Sequence, residues 1–291
     1  MFYLPTNTCK EHFGWLANQI LIRNGFGYIA MVRPDASLLN LPRSVSARLV
    51  ERFIFNFRLS PSALGDRLPV PWLRPQILNG WSVVSFCILR IERLMLQPIP
   101  SIVGLQTICC AYRCGVIDSS GAAPQPSVYI VGRNTDRQFL SLMAPAIFES
   151  PMPQVWATIE HGTECTQIVV RSVDERLLFS AEVFPAKQGG DMKSNAFGSL
   201  QEFVKFIKDG VSSYARSTTA GRYSRIDLRK QDAGYESMEA VIRYNQIDYD
   251  WPGSGLEYDS TVRAGGGGSY VWTFKGKYQA SMIRRPAELT A

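Results

Sequence analysis

The stretch that decides the fold is residues 51–94, ERFIFNFRLSPSALGDRLPVPWLRPQILNGWSVVSFCILRIERL. In its first nine residues Phe53, Phe55 and Phe57 alternate with Arg52 and the other residues of the opposite face. Side chains of a β-strand point to alternate faces, so a period of two is typical of a strand with one buried face. The opening residues therefore predict a half-buried β-strand.

Helix and strand signals then follow along the chain. Ser60 and Pro61 supply a cap and a proline at the first helical position, which predicts a short helix to about residue 67. Ser199 and Glu202 form a capping box for a second helix that ends at Gly210. Runs rich in Val, Ile, Phe and Tyr predict antiparallel strands at 81–93, 106–117, 127–132, 154–161, 164–173, 176–184, 222–229, 235–247, 256–263 and 269–283. The pattern is that of antiparallel β structure with a few helices.

The N-terminal residues follow a different pattern. Residues 1–45 match nothing downstream and end in a polar stretch that contains two prolines. We expect them to be a poorly ordered N-terminal extension, followed by a single domain at residues 46–287. No internal repeat divides that domain.

The composition is that of a globular protein with an unusual distribution of basic residues. The chain has 291 residues, 46% of them hydrophobic, and a formal net charge of +6. Its basic residues are 23 arginines and 8 lysines, and no lysine lies between Lys10 and Lys187. The arginines are scattered singly through apolar segments, which argues against a nucleic-acid partner.

Cysteine and histidine usage bears on metals and on the compartment. The six cysteines contain no C-x-x-C pair, and the two histidines are His12 and His161. We therefore predict no metal and no cofactor, and interpret the cysteines as buried apolar residues of a reducing compartment. A thiol would become a nucleophile only in electropositive surroundings. No apolar run near the N-terminus is long enough for a signal sequence or a membrane span, which predicts a cytoplasmic protein without a membrane partner.

The stretch at 51–94 resembles the opening of the acetoacetate decarboxylase-like superfamily, in particular its large uncharacterised bacterial branch. The resemblance continues through AYRCGVI (111–117), SVYIVGRNTD (127–136) and AFGSL (196–200), and spans about residues 48–285. It implies a mainly β (α+β), single-domain antiparallel β-barrel or cone with flanking helices and an interior pocket.

The same resemblance implies a departure in chemistry. Enzymes of the superfamily decarboxylate β-keto acids through a Schiff base on a lysine that follows a proline. Here Pro151, Met152, Pro153 and Gln154 stand about where that proline and the lysines would be, and an assisting glutamate is replaced at about Ile108. The family's imine route is therefore not expected, although a pocket can survive the loss of its catalytic residue.

Five residues are candidates for a site in that pocket. Arg113 interrupts an apolar strand, so it points either into a polar pocket or into solvent beyond the rim. Arg133 matches an arginine of the family pattern, and its planar guanidinium suits carboxylates. Tyr129 and Gln154 are further ligand-binding candidates from the matching stretches. His161 is a weak catalytic candidate: it is in phase with the apolar residues of its strand, and it is also typical of a structural histidine at a rim.

These observations leave three hypotheses open. The first is a pocket protein that binds a small acidic or oxo-acid metabolite through Arg113 and Arg133. The second is a non-catalytic scaffold that acts through oligomerisation or a protein partner, and it would be favoured by a pocket filled with Trp81, Trp156 or Phe side chains. The third is a lyase that uses acid/base chemistry without an imine. The sequence leaves open whether the protein is an enzyme, and a homo-oligomer is compatible with each hypothesis.

Overall fold

The structure is a computed structural model, and it describes residues 43–97, 104–186, 192–231 and 234–281. All of these belong to one compact unit. Most of the predicted extension at 1–45 lies outside the described residues, whereas regular structure begins at Ser44. The predicted boundary between extension and domain therefore falls just inside the first strand.

The described residues form thirteen strands and four helices. The strands are β1 (Ser44–Leu59), β2 (Leu73–Pro75), β3 (Ser82–Leu96), β4 (Leu105–Asp118), β5 (Gln125–Thr135), β6 (Val155–His161), β7 (Thr166–Ser172), β8 (Leu177–Pro185), β9 (Ser212–Arg216), β10 (Arg222–Lys230), β11 (Tyr235–Asn245), β12 (Glu257–Ala264) and β13 (Ser269–Gln279). The helices are α1 (Pro61–Gly65), α2 (Gln138–Phe148), α3 (Leu200–Asp209) and α4 (Gln246–Asp250). Strands β2 and β9 and helix α4 have no counterpart among the sequence-based predictions.

The strands form one sheet that wraps closely around itself. Their order is β13-β10-β9-β5-β4-β3-β1-β12-β11-β8-β7-β6, with β2 paired to β4 and a further pairing between β13 and β1. Among the described strands, β5 and β9 pair in parallel and the other pairs are antiparallel. The predicted mainly β, antiparallel fold is confirmed, and the barrel of that prediction takes the form of this closely wrapped sheet.

Strand β1 is buried on both faces, which corrects the prediction of a half-buried strand. Its first residues, Ser44–Arg48, pair with β13, and Arg52–Arg58 pair with β12, while β3 runs along its other edge. Every residue from Glu51 to Phe57 is buried. Layers of side chains therefore cover the strand on both sides, and Arg52 lies inside the protein.

The phenylalanine face of β1 forms the centre of the largest apolar cluster. Phe53, Phe55 and Phe57 pack there with Phe86 of β3 and Phe179 of β8. The rings of Phe86 and Phe179 are stacked with their centroids 4.0 Å apart. Aromatic packing thus joins β1 and β3 to the part of the sheet that contains β8.

Both predicted helix starts are confirmed. The Ser60 hydroxyl accepts a hydrogen bond from the Ala63 amide at the start of α1, and Ser199 accepts one from Glu202 at the start of α3. The carboxylate of Glu202 in turn accepts from the amide of Gly198, one residue before the cap, in a variant of the capping box. None of the helices in the described part of the chain is long and apolar enough to cross a membrane.

We predict that Phe179→Ala destabilises the protein strongly. Phe179 is fully buried among aromatic rings, so truncation leaves a cavity that costs about 3–5 kcal/mol of unfolding free energy. Phe139→Ala is the matched control, because that ring on α2 is 58% exposed. Its replacement should change the free energy of unfolding by about 0.5 kcal/mol or less. Denaturant titration of both variants measures the difference, and equal losses would contradict this account of the core.

Candidate functional site

A cavity of about 170 Å³ lies inside the wrapped sheet. Strands β1, β3, β4, β5, β9, β10 and β13 line it together with residues of α2 and α3. Cavities of about this size hold a benzene-sized molecule. Most of the wall is apolar and includes Leu89, Ile91, Ile130, Ile147 and Trp272. The cavity is therefore large enough for a small ligand and offers it a mostly apolar wall.

The polar part of the wall is strongly cationic. Arg52, Arg113, Arg133 and Lys230 line the cavity. No aspartate or glutamate is among the described residues that line it. Positive charge in an apolar cavity whose described lining has no carboxylate favours anions over cations electrostatically.

Strand geometry explains how Arg113 and Arg133 come to share the cavity. Alternation along β4 places Arg113 on the cavity face in phase with Cys109 and Ala111, whereas Cys114 belongs to an apolar cluster and also borders the cavity. The register between β4 and β5 shifts at this point, so that Tyr112 pairs with Gly132 and Arg113 pairs with Ile130. Because the extra residue in β5 changes the phase of the strand, Ile130 and Arg133 both line the cavity.

Both guanidinium groups lack partners at buried atoms. Nε of Arg113 and both Nε and Nη2 of Arg133 have no hydrogen-bond partner among the described residues. Burial, with the charge of nearby Arg113, lowers the pKa of Arg133 to about 10, and burial also lowers the pKa of Arg113. The Arg133 guanidinium lies 5.6 Å from the centre of the Phe148 ring. Unpaired buried charge is costly, and an anionic ligand would compensate for it.

Arg52 is a cavity residue that the sequence reasoning missed. Its side chain is buried, with 1% exposure, and its Nη1 donates to the Tyr270 hydroxyl at 3.4 Å. Its Nη2 donates to the Cys87 sulfur at 3.6 Å, while Nε has no partner among the described residues. The alternation in β1 placed Arg52 opposite the phenylalanines, and nothing in the sequence pattern indicated that this face is also covered.

The cavity also contains a lysine. The stretch without lysine between Lys10 and Lys187, called the lysine gap below, therefore does not leave the cavity without an amine. Lys230 ends β10, and its ammonium donates to the main-chain oxygen of Ile207 in α3. Met152, from the stretch that resembles the family's lysine region, lines the cavity as well. The amine of this cavity therefore comes from a different strand, far along the chain from residues 151–154.

Tyr129 and Gln154, two predicted ligand contacts, do not line the cavity. Tyr129 points to the other face of β5 and packs in an apolar cluster that contains Trp72. Burial raises the pKa of its hydroxyl to about 12. Gln154 forms a parallel bridge with Thr135 at the end of β5. Strand phase at these positions depends on the bulge in β5 and on a loop, and a ligand-binding role for the two residues stays a prediction.

His161, the weak catalytic candidate, also lies outside the cavity lining. Its side chain is 47% exposed, and Nε2 lies 3.0 Å from the Glu51 carboxylate. Nδ1 lies 3.0 Å from the Thr166 hydroxyl, and the same Glu51 carboxylate is 3.4 Å from Nε of Arg90. This geometry agrees with the rim histidine of the sequence analysis and gives no support to a role in catalysis inside the cavity.

Two cysteines in the cavity wall differ in acidity. Burial raises the pKa of the Cys109 thiol to about 11. Burial acts in the same direction on Cys87, but the positive charges of Arg113 and Arg52 outweigh it, and the pKa of Cys87 lies below that of an ordinary thiol. The described residues contain no group of three His, Cys, Asp or Glu side chains that could hold a metal ion.

Comparison with known proteins finds similarity in structure alone. No family model matches the chain, and no curated protein matches its sequence. The structure of acetoacetate decarboxylase from Legionella pneumophila superposes with a TM-score of 0.56 at 9% identity, covering 80% of this chain and 88% of that one.

Two further structures agree with this match. One, from structural studies of acetoacetate decarboxylase, gives a TM-score of 0.51 at 11% identity, covering 82% of this chain and 90% of that one. The enduracididine biosynthesis enzyme MppR with HEPES buffer bound gives a TM-score of 0.50 at 13% identity, covering 83% of this chain and 88% of that one. The chain therefore has the fold of the acetoacetate decarboxylase-like superfamily.

Proposed function

We propose that the cavity binds a small acidic metabolite, most simply an oxo-acid, with Arg113 and Arg133 as its anion contacts. The observation that carries the proposal is the presence of two guanidinium groups with unpartnered buried nitrogens in a cavity whose described lining has no carboxylate. Arg52 and Lys230 add positive charge to the same wall.

Electrostatics and size together favour such a ligand. At about 4 Å a pair of unit charges gains about 4 kcal/mol at an effective dielectric constant near 20, so one carboxylate between two guanidinium groups is held well. Planar guanidinium groups also bind carboxylates through paired hydrogen bonds. The apolar remainder of the wall suits a short carbon chain, and the cavity volume limits the ligand to a few carbon atoms.

The comparisons support the oxo-acid class. The Legionella pneumophila structure is that of an acetoacetate decarboxylase, an enzyme named for a small oxo-acid. The cavity of the present chain differs from the family pattern of the sequence analysis, since Met152 lines it near the position where the catalytic lysine would be expected. We propose binding of the same chemical class without the family's imine route.

The scaffold hypothesis receives less support from the cavity. Neither Trp81 nor Trp156 lines it; Trp156 is 52% exposed, and the Trp81 ring lies 4.8 Å from the guanidinium of Arg58. Phe148 and Phe206 do line the cavity, but an open volume of about 170 Å³ remains beside them, so aromatic side chains do not fill it. The five cysteines of the described residues are free thiols, which supports the proposed reducing, cytoplasmic setting.

We predict that Arg133→Ala weakens binding of small oxo-acids by about ten- to a hundredfold, the effect of losing a charged hydrogen-bonded contact. Ligand-induced shifts of the thermal midpoint with pyruvate and acetoacetate measure the loss. The ligand-free variant should be at least as stable as the wild type, because it no longer buries an unpaired charge. Arg229→Ala, at an exposed position of β10, is the control. An unchanged shift in Arg133→Ala would refute the anion site.

We also predict that borohydride treatment in the presence of acetoacetate or pyruvate leaves no covalent adduct. A trapped imine requires a neutral amine that faces the carbonyl carbon, whereas Lys230 donates its ammonium protons to the main chain at Ile207. Intact-mass analysis of wild type and of Lys230→Met gives the readout. A stable adduct in the wild type that is lost in Lys230→Met would show that an imine forms on this strand after all.

A further inference from the structure

Cys87 is the cavity group that the anion-binding proposal leaves unused. It lies on β3, is 1% exposed, and lines the cavity between residues of β1 and β4. Arg52 donates a hydrogen bond from Nη2 to its sulfur at 3.6 Å. A buried thiol in an apolar core gains no such partner, so this sulfur stands in the electropositive surroundings that favour a thiolate.

Cys87 belongs to an apolar cluster with Ile54 and Val83, but the charged groups that act on its sulfur are cationic. They are Arg52 from β1, Arg113 from β4 and Lys230 from β10, with the neutral thiol of Cys110 on the other side of β4. Tyr235 and Tyr270 lie near Arg52. The arginine charges that hold an incoming carboxylate therefore also stabilise the negative charge of the Cys87 sulfur.

We propose that Cys87 is a nucleophile directed at small carboxylates with an electrophilic carbon, and that it adds reversibly to the carbonyl carbon of a 2-oxo acid. The proposal rests on the anion site described above. In the step, the sulfur forms a bond to C2, the π electrons of the carbonyl move to its oxygen, and that oxygen takes up one proton in place of the proton lost by the thiol. The product is a thiohemiketal, and no oxidant or reductant is required.

Alkylation with two haloacetyl reagents tests the nucleophile. Iodoacetate and iodoacetamide present the same carbon, which forms the C–S bond as iodide leaves, but iodoacetate alone carries a carboxylate. We expect the ratio of iodoacetate to iodoacetamide rates at Cys87 to exceed the ratio at Cys165 by about tenfold or more, and to fall to the Cys165 value in Arg113→Ala. Peptide mass mapping of the full chain resolves the sites.

Cys109 is a control within the same cavity, because both thiols line it but the Arg52 guanidinium donates its hydrogen bond to Cys87. The pKa of Cys87 is lowered, so its thiolate and its labelling rate should persist as the pH falls below the ordinary thiol range. Cys109, with its pKa raised to about 11, should remain unlabelled between pH 7 and about 9. Equal labelling of the two thiols, or a faster reaction with iodoacetamide at Cys87, would overturn the proposal.

Pyruvate labelled with ¹³C at C2 tests the covalent step. We expect its bound carbonyl resonance to be replaced by that of a tetrahedral carbon in the wild type and in Cys109→Ser, and to remain in Cys87→Ser and Cys87→Ala. Thermal unfolding of each variant verifies that it is folded. If pyruvate stabilises the protein through Arg133 but no tetrahedral carbon forms, the covalent proposal is wrong and the anion site stands. If pyruvate does not stabilise the protein at all, both fail.

Discussion

The covering of β1 on both faces is the constraint on which the rest of the structure depends. The strand pairs with β3 along one edge, and with β13 and then β12 along the other. It therefore joins the strands on either side of it into the wrapped sheet. One face builds the phenylalanine cluster around Phe55, and the other carries Arg52 into the cavity. A strand covered on one side only would leave Arg52 in solvent, and the cavity would lose one wall.

A cavity of this kind places charge and apolar packing in direct competition. The hydrophobic wall stabilises the fold, but it raises the free energy of every unpaired guanidinium that it encloses. The native protein retains three arginines there, and each has a buried nitrogen without a hydrogen-bond partner in the described part of the chain. Such an arrangement costs stability in the ligand-free state, and the proposed anion would offset that cost, so the proposed affinity and the instability of the empty site would have the same physical origin.

Local patterns predicted much of the fold. Alternation, caps and turn residues located most of the strands and both capped helices, because those signals depend on neighbours within a few residues. Strand β9 was missed because five residues that pair in parallel with distant β5 carry little periodicity of their own. The site was harder still. Arg113 was picked out by its charge within an apolar strand and Arg133 by the family pattern, whereas no local signal showed the bulge in β5 that turns Tyr129 to the other face.

The lysine gap shows how far sequence position alone can be used to judge chemistry. Its meaning depends on the assumption that a catalytic amine must come from the stretch where the resembled enzymes keep it. In a wrapped sheet any strand of the wall can supply a side chain to the interior, and here β10 supplies Lys230 while β1 and β3 supply Arg52 and Cys87. The fold constrains where the cavity lies, but a substitution on any one wall strand can change the side chains that line the cavity. The chemistry that this cavity can offer is therefore set by which side chains face inward on seven strands, and the total charge of the chain says little about it.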